Sequence, residues 1–298
     1  GTDMLVTGSG IPGNYILRVL RPQGVARKLT MDMDGLCLQP ISSADFDPAS
    51  GVVALCAGSV LQVFDQRGML LLDRDFGEEI KTHGPYKSAV ALQAGGSVVA
   101  CGLSAVQMIV LEVGGREVFR ITRNDGAARG FGSLLDIVWS PDGTLLAMCT
   151  SRAAFFVFSM DGAVIHKHGN PGPISTCAFD GTGSRFVAAD CRNYEVVVLD
   201  VQTWQPIHTV HVGQWIGAVA LSPTGDYFAY MAGTSDADVV VCPLDLSSGK
   251  HPQRLPHSVN ARSALSFSPD GRFILCCPAD TEPSDAHKLR VLDLETGI

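Results

Sequence analysis

DIVWSPDG at 136–143, AVALSPTG at 218–225 and ALSFSPDG at 264–271 share one pattern: small and apolar residues leading to a large side chain, then a tight turn ending in glycine. Each residue type in the turn has a reason. Proline presets φ, Ser and Asp side chains accept from local backbone N–H groups, and glycine takes the positive φ that closes the turn. Three weaker copies lie outside these: SADFDPASG (43–51), AVALQAGG (89–96) and TCAFDGTG (176–183). Aligned on the large residue, the column reads Phe46, Leu92, Trp139, Phe179, Leu221 and Phe267, with spacings of 46, 47, 40, 42 and 46 residues. Short apolar runs bounded by such turns predict strands.

The stretch after each turn repeats as well. A second strand follows (VVALC, SVVAC, LLAMC, RFVAA, YFAYM, FILCC), then a third (VLQVF, VQMIV, AFFVF, EVVVL, DVVVC, KLRVL), often closed by an acid: Asp65, Glu112, Asp200, Asp245 or Asp293. A turn containing glycine then starts a fourth. The period is too long for a helical-pair repeat and too irregular for a solenoid, but it fits a four-stranded antiparallel blade of a β-propeller. The residues one, three and four places before each anchor are mostly Ser, Ala, Thr or Gly, as expected of an innermost strand crowding a channel. The expected fold is all-β, one seven-bladed propeller domain over 1–298, with blades near 1–36, 37–82, 83–130, 131–169, 170–212, 213–258 and 259–298. The first blade lacks its first strand and the last lacks its fourth. Both are expected in about 20 residues upstream of Gly1, or the closing strand after Ile298, in a longer protein.

SPDG twice, SPTG once and LDLETG at 292–297 resemble the WD40 repeat family, with Phe-Asp or Leu-Asp in place of Trp-Asp. His83, His168, His211 and His257 lie 9 to 11 residues before their anchors, where that family places the histidine of its Gly-His pair, although none here follows a glycine. The resemblance implies structural roles for these histidines and for Asp65, Asp200 and Asp293. The loop aspartate that partners the histidine in the family has counterparts only at Asp190 and Asp236, so the hydrogen-bonded tetrad is expected to be incomplete in most blades.

Composition narrows the function. With 22 basic against 30 acidic residues, a net charge of -8, 17% charged and 46% hydrophobic residues, the chain is neither a disordered tail nor a bulk-charge nucleic-acid binder. No apolar run reaches the roughly 18 residues of a membrane span, so no membrane partner is expected. Nine cysteines without a CxxC pair, and no secretory leader, point to a reducing compartment, cytoplasmic or nuclear. Cys56, Cys101, Cys149 and the Cys276–Cys277 pair end second strands of different blades, which argues for core thiols kept apart rather than a metal site. Cys191, in a loop beside Arg192, is the one cysteine for which a partly exposed, reactive thiol stands as an alternative to a core role. His166 and His168 form an HxH that places both rings on one face, without a third ligand.

No GxSxG, phosphate loop or HExxH is present, and the glycines of LVTGSGIPG (5–13) precede a β pattern rather than a helix. Asp45 and Asp136 stand out on innermost strands, the feature that would favour a propeller hydrolase or lactonase, but two acids are too few for a calcium site. The expectation is no catalytic residue, no metal and no cofactor. In the propeller plan Lys87, Arg129, Phe131, Arg152, Arg192, Trp215 and Arg262 fall on or beside one rim. This is the chemistry of a hot spot for a protein or peptide, acidic or phosphorylated, within a larger complex. The alternative is an RNA- or ribosome-associated propeller similar to some translation factors, favoured by the same arginines and by RGFG within 122–133. The acidic stretch PADTEPSDAH (278–287) reads as a long loop or partner-specific insertion.

Overall fold

In the computed structural model the strands form where the apolar runs fall. The structure describes residues 4–7, 16–20, 27–30, 42–77, 89–104, 107–122, 133–152, 155–168, 173–233, 237–245, 251–259, 265–276 and 290–295. Among these residues every regular element is a β-strand, and the strands gather into seven sheets, each made of consecutive strands. The first sheet is β1 (Met4–Thr7), β2 (Ile16–Leu20) and β3 (Arg27–Thr30). The second is β4 (Ser43–Phe46), β5 (Val53–Ala57), β6 (Val60–Phe64) and β7 (Leu70–Asp75). The third is β8 (Ala89–Leu92), β9 (Val98–Ser104), β10 (Gln107–Glu112) and β11 (Glu117–Ile121). The fourth is β12 (Leu134–Trp139), β13 (Leu145–Thr150), β14 (Phe155–Ser159) and β15 (Val164–Lys167). The fifth is β16 (Ile174–Phe179), β17 (Arg185–Asp190), β18 (Glu195–Asp200) and β19 (Pro206–His211). The sixth is β20 (Ile216–Leu221), β21 (Tyr227–Ala232), β22 (Ala237–Pro243) and β23 (Gln253–Val259). The seventh is β24 (Leu265–Phe267), β25 (Phe273–Cys276) and β26 (Arg290–Asp293). The expected all-β, seven-bladed propeller of four-stranded antiparallel blades is the fold observed, with three described strands in the first and last sheets.

The chain divides into two compact units. One comprises residues 1–139, 143–148 and 157–165; the other comprises 140–142, 149–156 and 166–298. In the first unit, β5 is buried along its whole length, and Ala54, Cys56, Leu61, Val63, Phe76, Val99, Cys101 and Ile109 form one core. In the second, Val187, Val196, Val198, Val219, Phe228 and Tyr230 form one cluster, and Met231, Val239, Leu265, Phe267 and Ile274 another. Strands covered on both faces read as unbroken apolar runs, which is why the second and third strands were visible as such. The fourth strand of a sheet has one open edge and remains wet: β7 and β15 are mostly exposed.

The turn before the second strand also joins one sheet to the next. Gly225 has φ +71°, and a Cβ there would lie 2.8 Å from Asp180 Oδ2 and 2.8 Å from Arg185 Nη1. The Arg185 guanidinium donates to the Gly225 carbonyl, and Gly181 N–H donates to the Pro223 carbonyl at 3.0 Å. Gly213 also has a positive φ, +75°, but a Cβ there meets nothing within 4 Å. Gly225→Ala is therefore expected to cost about 2 kcal/mol or more, against about 1 kcal/mol for Gly213→Ala, in urea unfolding. Equal losses would show that the contact between the two sheets contributes nothing at this turn.

Candidate functional site

One end of the β16–β19 and β20–β23 sheets brings two of the expected rim residues together. Asp190 ends β17 opposite Glu195, Glu195 pairs with His211 across β18 and β19, and Ile216 begins β20. The chain between β17 and β18 is held by Asp190, whose Oδ1 accepts from Arg192 N–H at 2.9 Å and Asn193 N–H at 3.1 Å. Its Oδ2 accepts from Asn193 Nδ2 at 3.0 Å. That cage turns Tyr194 into a left-handed conformation, φ +55°, and its carbonyl accepts from Val212 N–H at 2.8 Å. Trp215 is fixed from the other side, its carbonyl accepting from Gly233 N–H at 2.9 Å. Cys191 joins the two segments by donating to the Ile216 carbonyl at 3.6 Å, and Ser175 Oγ donates to the same carbonyl at 3.2 Å.

The side chains these bonds hold out are Arg192, Tyr194 (42% exposed) and Trp215 (41% exposed). Arg152, also exposed, occupies the equivalent turn of its own sheet, after β13. Lys87, Arg129, Phe131, Arg262 and His83 lie outside the described residues, as does Asp236. Tyr194 was missed in the sequence. The signal was there in DCRNY at 190–194, an Asp whose side chain cages the next turns and an aromatic directly after them. Beside this group Glu195 and the exposed His211 lie 3.8 Å apart.

For Cys191 the alternative of a reactive thiol does not hold. It is buried, its thiol aimed at the Ile216 carbonyl, and burial pushes its pKa up, so it is neither exposed nor activated. The core thiols are not all kept apart either. Cys56 and Cys101, at the same position of successive sheets, project toward each other with their sulfurs 3.5 Å apart. Their mutual hydrogen bond and burial hold the Cys101 thiol well above its ordinary pKa. Among the described residues no three His, Cys, Asp or Glu side chains are placed to hold a metal ion.

The HxH pair lies in an aromatic seam. His166 stacks on Trp204, with centroids 4.7 Å apart at 10°, and His168 stacks on Phe155 at 5.0 Å and 9°. Phe186 packs against both Phe155 and Trp204. Burial pulls both histidine pKa values below the ordinary value, His168 against the opposing charge of Asp190. His257 lies on β23. Asp65 and Asp200 cap the turns after third strands, accepting from Arg67 and Met69 N–H and from Thr203 N–H respectively. Asp293 accepts from the Arg272 guanidinium at 2.8 Å and from Glu295 N–H.

Asp45 and Asp136, on β4 and β12, are near enough to sense each other's charge. Asp45 Oδ2 accepts from Leu92 N–H on β8 at 2.7 Å, and Oδ1 from Phe46 N–H at 2.8 Å. Burial raises its pKa from 3.8 to about 6 against the pull of those two amides, and Asp47 and Asp136 add to the rise. A carboxyl that holds its proton more tightly when folded favours the folded state at low pH, and that contribution fades as pH rises from about 4 to 6. Asp45→Asn keeps only one acceptor for two amides. It also stays neutral at every pH, so the wild-type minus mutant difference in melting temperature is expected to decrease steadily from pH 4 to pH 6. A pH-independent difference in thermal melts would place Asp45 outside this titration.

No family model matches the chain, and no curated protein does. Solved structures do. One chain of the structure described as "Crystal Structure of Mitotic Checkpoint Complex" is 14% identical, with a TM-score of 0.73, covering 97% of this chain and 86% of that one. At that identity the likeness concerns the fold alone.

Proposed function

We propose that the chain is a degenerate member of the WD40-like propellers and acts as a non-catalytic, intracellular scaffold. It binds a protein or peptide through the end that carries Arg152, Arg192, Tyr194 and Trp215. The observation that carries this reading is the pair of exposed aromatics beside an arginine, on a backbone already fixed by Asp190 and by the bond from Gly233 to Trp215. Loops ordered in advance lose little entropy on binding, so aromatic and arginine contacts count nearly in full. Arginines suit an acidic or phosphorylated peptide. The likeness to a chain of a mitotic checkpoint complex supports a place in a multiprotein assembly.

The same aromatics and arginines favour a second reading, in which successive bases of a single-stranded RNA stack on Tyr194 and Trp215. Salt separates the two, because RNA affinity falls steeply between low and physiological salt through counterion release.

Affinity purification from the native cell, repeated with Arg192→Ala and Trp215→Ala, tests the surface. Each variant is expected to keep its melting temperature and to bind the recovered partner about thirtyfold more weakly. Undiminished binding by both folded variants would show that partners use another surface.

A further inference from the structure

The outer strands do not protect their open edges equally. β19 opens on Pro206, β23 contains Pro256, β15 has 4 residues, and β11 carries the Glu117–Arg120 ion pair. Proline, shortness and charge are the usual means of keeping another strand from pairing. β7 has 6 residues and no proline, its charges, Asp73, Arg74 and Asp75, are confined to its last three positions, and its start is apolar and exposed, with Leu70 (42%) and Leu71 (44%) following Met69 (65%).

Its ladder shows which backbone groups have no strand partner among the described residues. Phe76 N–H donates to the Ser59 carbonyl at 3.0 Å, and the register runs Val60↔Asp75, Leu61↔Arg74, Gln62↔Asp73, Val63↔Leu72. Bonded and non-bonded pairs alternate in an antiparallel ladder, so Leu72 and Arg74 face β6, whereas Asp73 and Asp75 turn their N–H and C=O away from it. The register shift comes before Leu72 and leaves 72–75 regular. Asp73 and Asp75 also share one face, opposite Arg74, whose guanidinium lies over the Phe76 ring at 5.4 Å. Asp75 accepts from Ser59 Oγ at 2.7 Å and Gly77 N–H at 2.8 Å, which hold its pKa below the ordinary value and keep it ionised.

We propose that β7 takes up an extended segment of a partner protein as a fifth strand, with lysines or arginines two residues apart against Asp73 and Asp75, and an apolar residue against Met69–Leu71. Backbone bonds to residues 73 and 75 supply affinity, and the carboxylate pair selects for a basic sequence. The proposal rests on β7 alone and stands whether or not the residues of the proposed rim bind anything.

The test uses two fluorescein-labelled extended peptides, each with two leucines followed by alternating threonine and lysine, or alternating threonine and glutamate. The lysine peptide is expected to bind and to slow amide hydrogen exchange across 70–77, with the glutamate peptide about tenfold weaker or worse. Asp73→Pro removes an N–H that β6 does not use, and is expected to abolish the protection without lowering the melting temperature. Leu71→Arg, which leaves the backbone alone, is expected to weaken the lysine peptide by about tenfold and decides the matter if Asp73→Pro does not fold. Absence of binding, equal binding of both peptides, or full binding by Leu71→Arg overturns the proposal. So does a dimer of the chain that Leu71→Arg dissociates, which would assign the edge to a second copy.

Discussion

An innermost strand has a strand partner along one edge only, and the backbone groups on its other edge must find partners elsewhere. On β8 they find side chains: Ser43 Oγ accepts from Val90 N–H at 3.1 Å and Asp45 Oδ2 from Leu92 N–H at 2.7 Å. Ser175 serves the Ile216 carbonyl of β20 in the same way. A buried backbone group left without a partner costs about 1–3 kcal/mol, so a few such bonds are comparable with a domain's whole net stability. Small polar residues before the anchors thus have two reasons. They make room, and they reach the neighbouring strand's backbone. Asp45 shows the cost of using a charged group for this: two amide donors favour the carboxylate, yet burial outweighs them and leaves the pKa near 6.

How much of this was legible depends on whether the cause is local. The turns SPDG and SPTG, the anchors and the second and third strands follow from periodicity and turn chemistry within ten residues, and the strands at 53–57, 145–150 and 195–200 appear where the runs VVALC, LLAMC and EVVVL lie. Contacts across sheets were not legible, because they bring together residues separated by tens of positions. The sulfurs of Cys56 and Cys101 meet across packed faces, and Trp204, in a turn with φ +54°, covers His166 from another sheet. Cys191 was left open because a loop position allows exposure, whereas its thiol is buried and donates to the Ile216 carbonyl of the next sheet. Arg192 and Trp215 were singled out by their place in the repeat, but the bonds that bring their segments together, from Val212 N–H to the Tyr194 carbonyl and from Cys191 to the Ile216 carbonyl, were not legible.

The disposition of acids constrains what the molecule can do. Asp161, Asp200 and Asp270 each accept from a neighbouring hydroxyl and from turn N–H groups, and these bonds lower their pKa values. A carboxylate held ionised by its own turn is a poor proton donor near neutral pH, and its lone pairs are already engaged. The turns thereby make structural caps of these three acids. Asp190 follows the same economy with a different outcome: its oxygens are taken up by Arg192 and Asn193, and the loop so fixed projects an arginine and an aromatic that the cage itself does not use. The same carboxylate chemistry thus closes a turn in one place and fixes an exposed loop in another, and replacing Asp190 would free the backbone of 192–194 that carries these side chains.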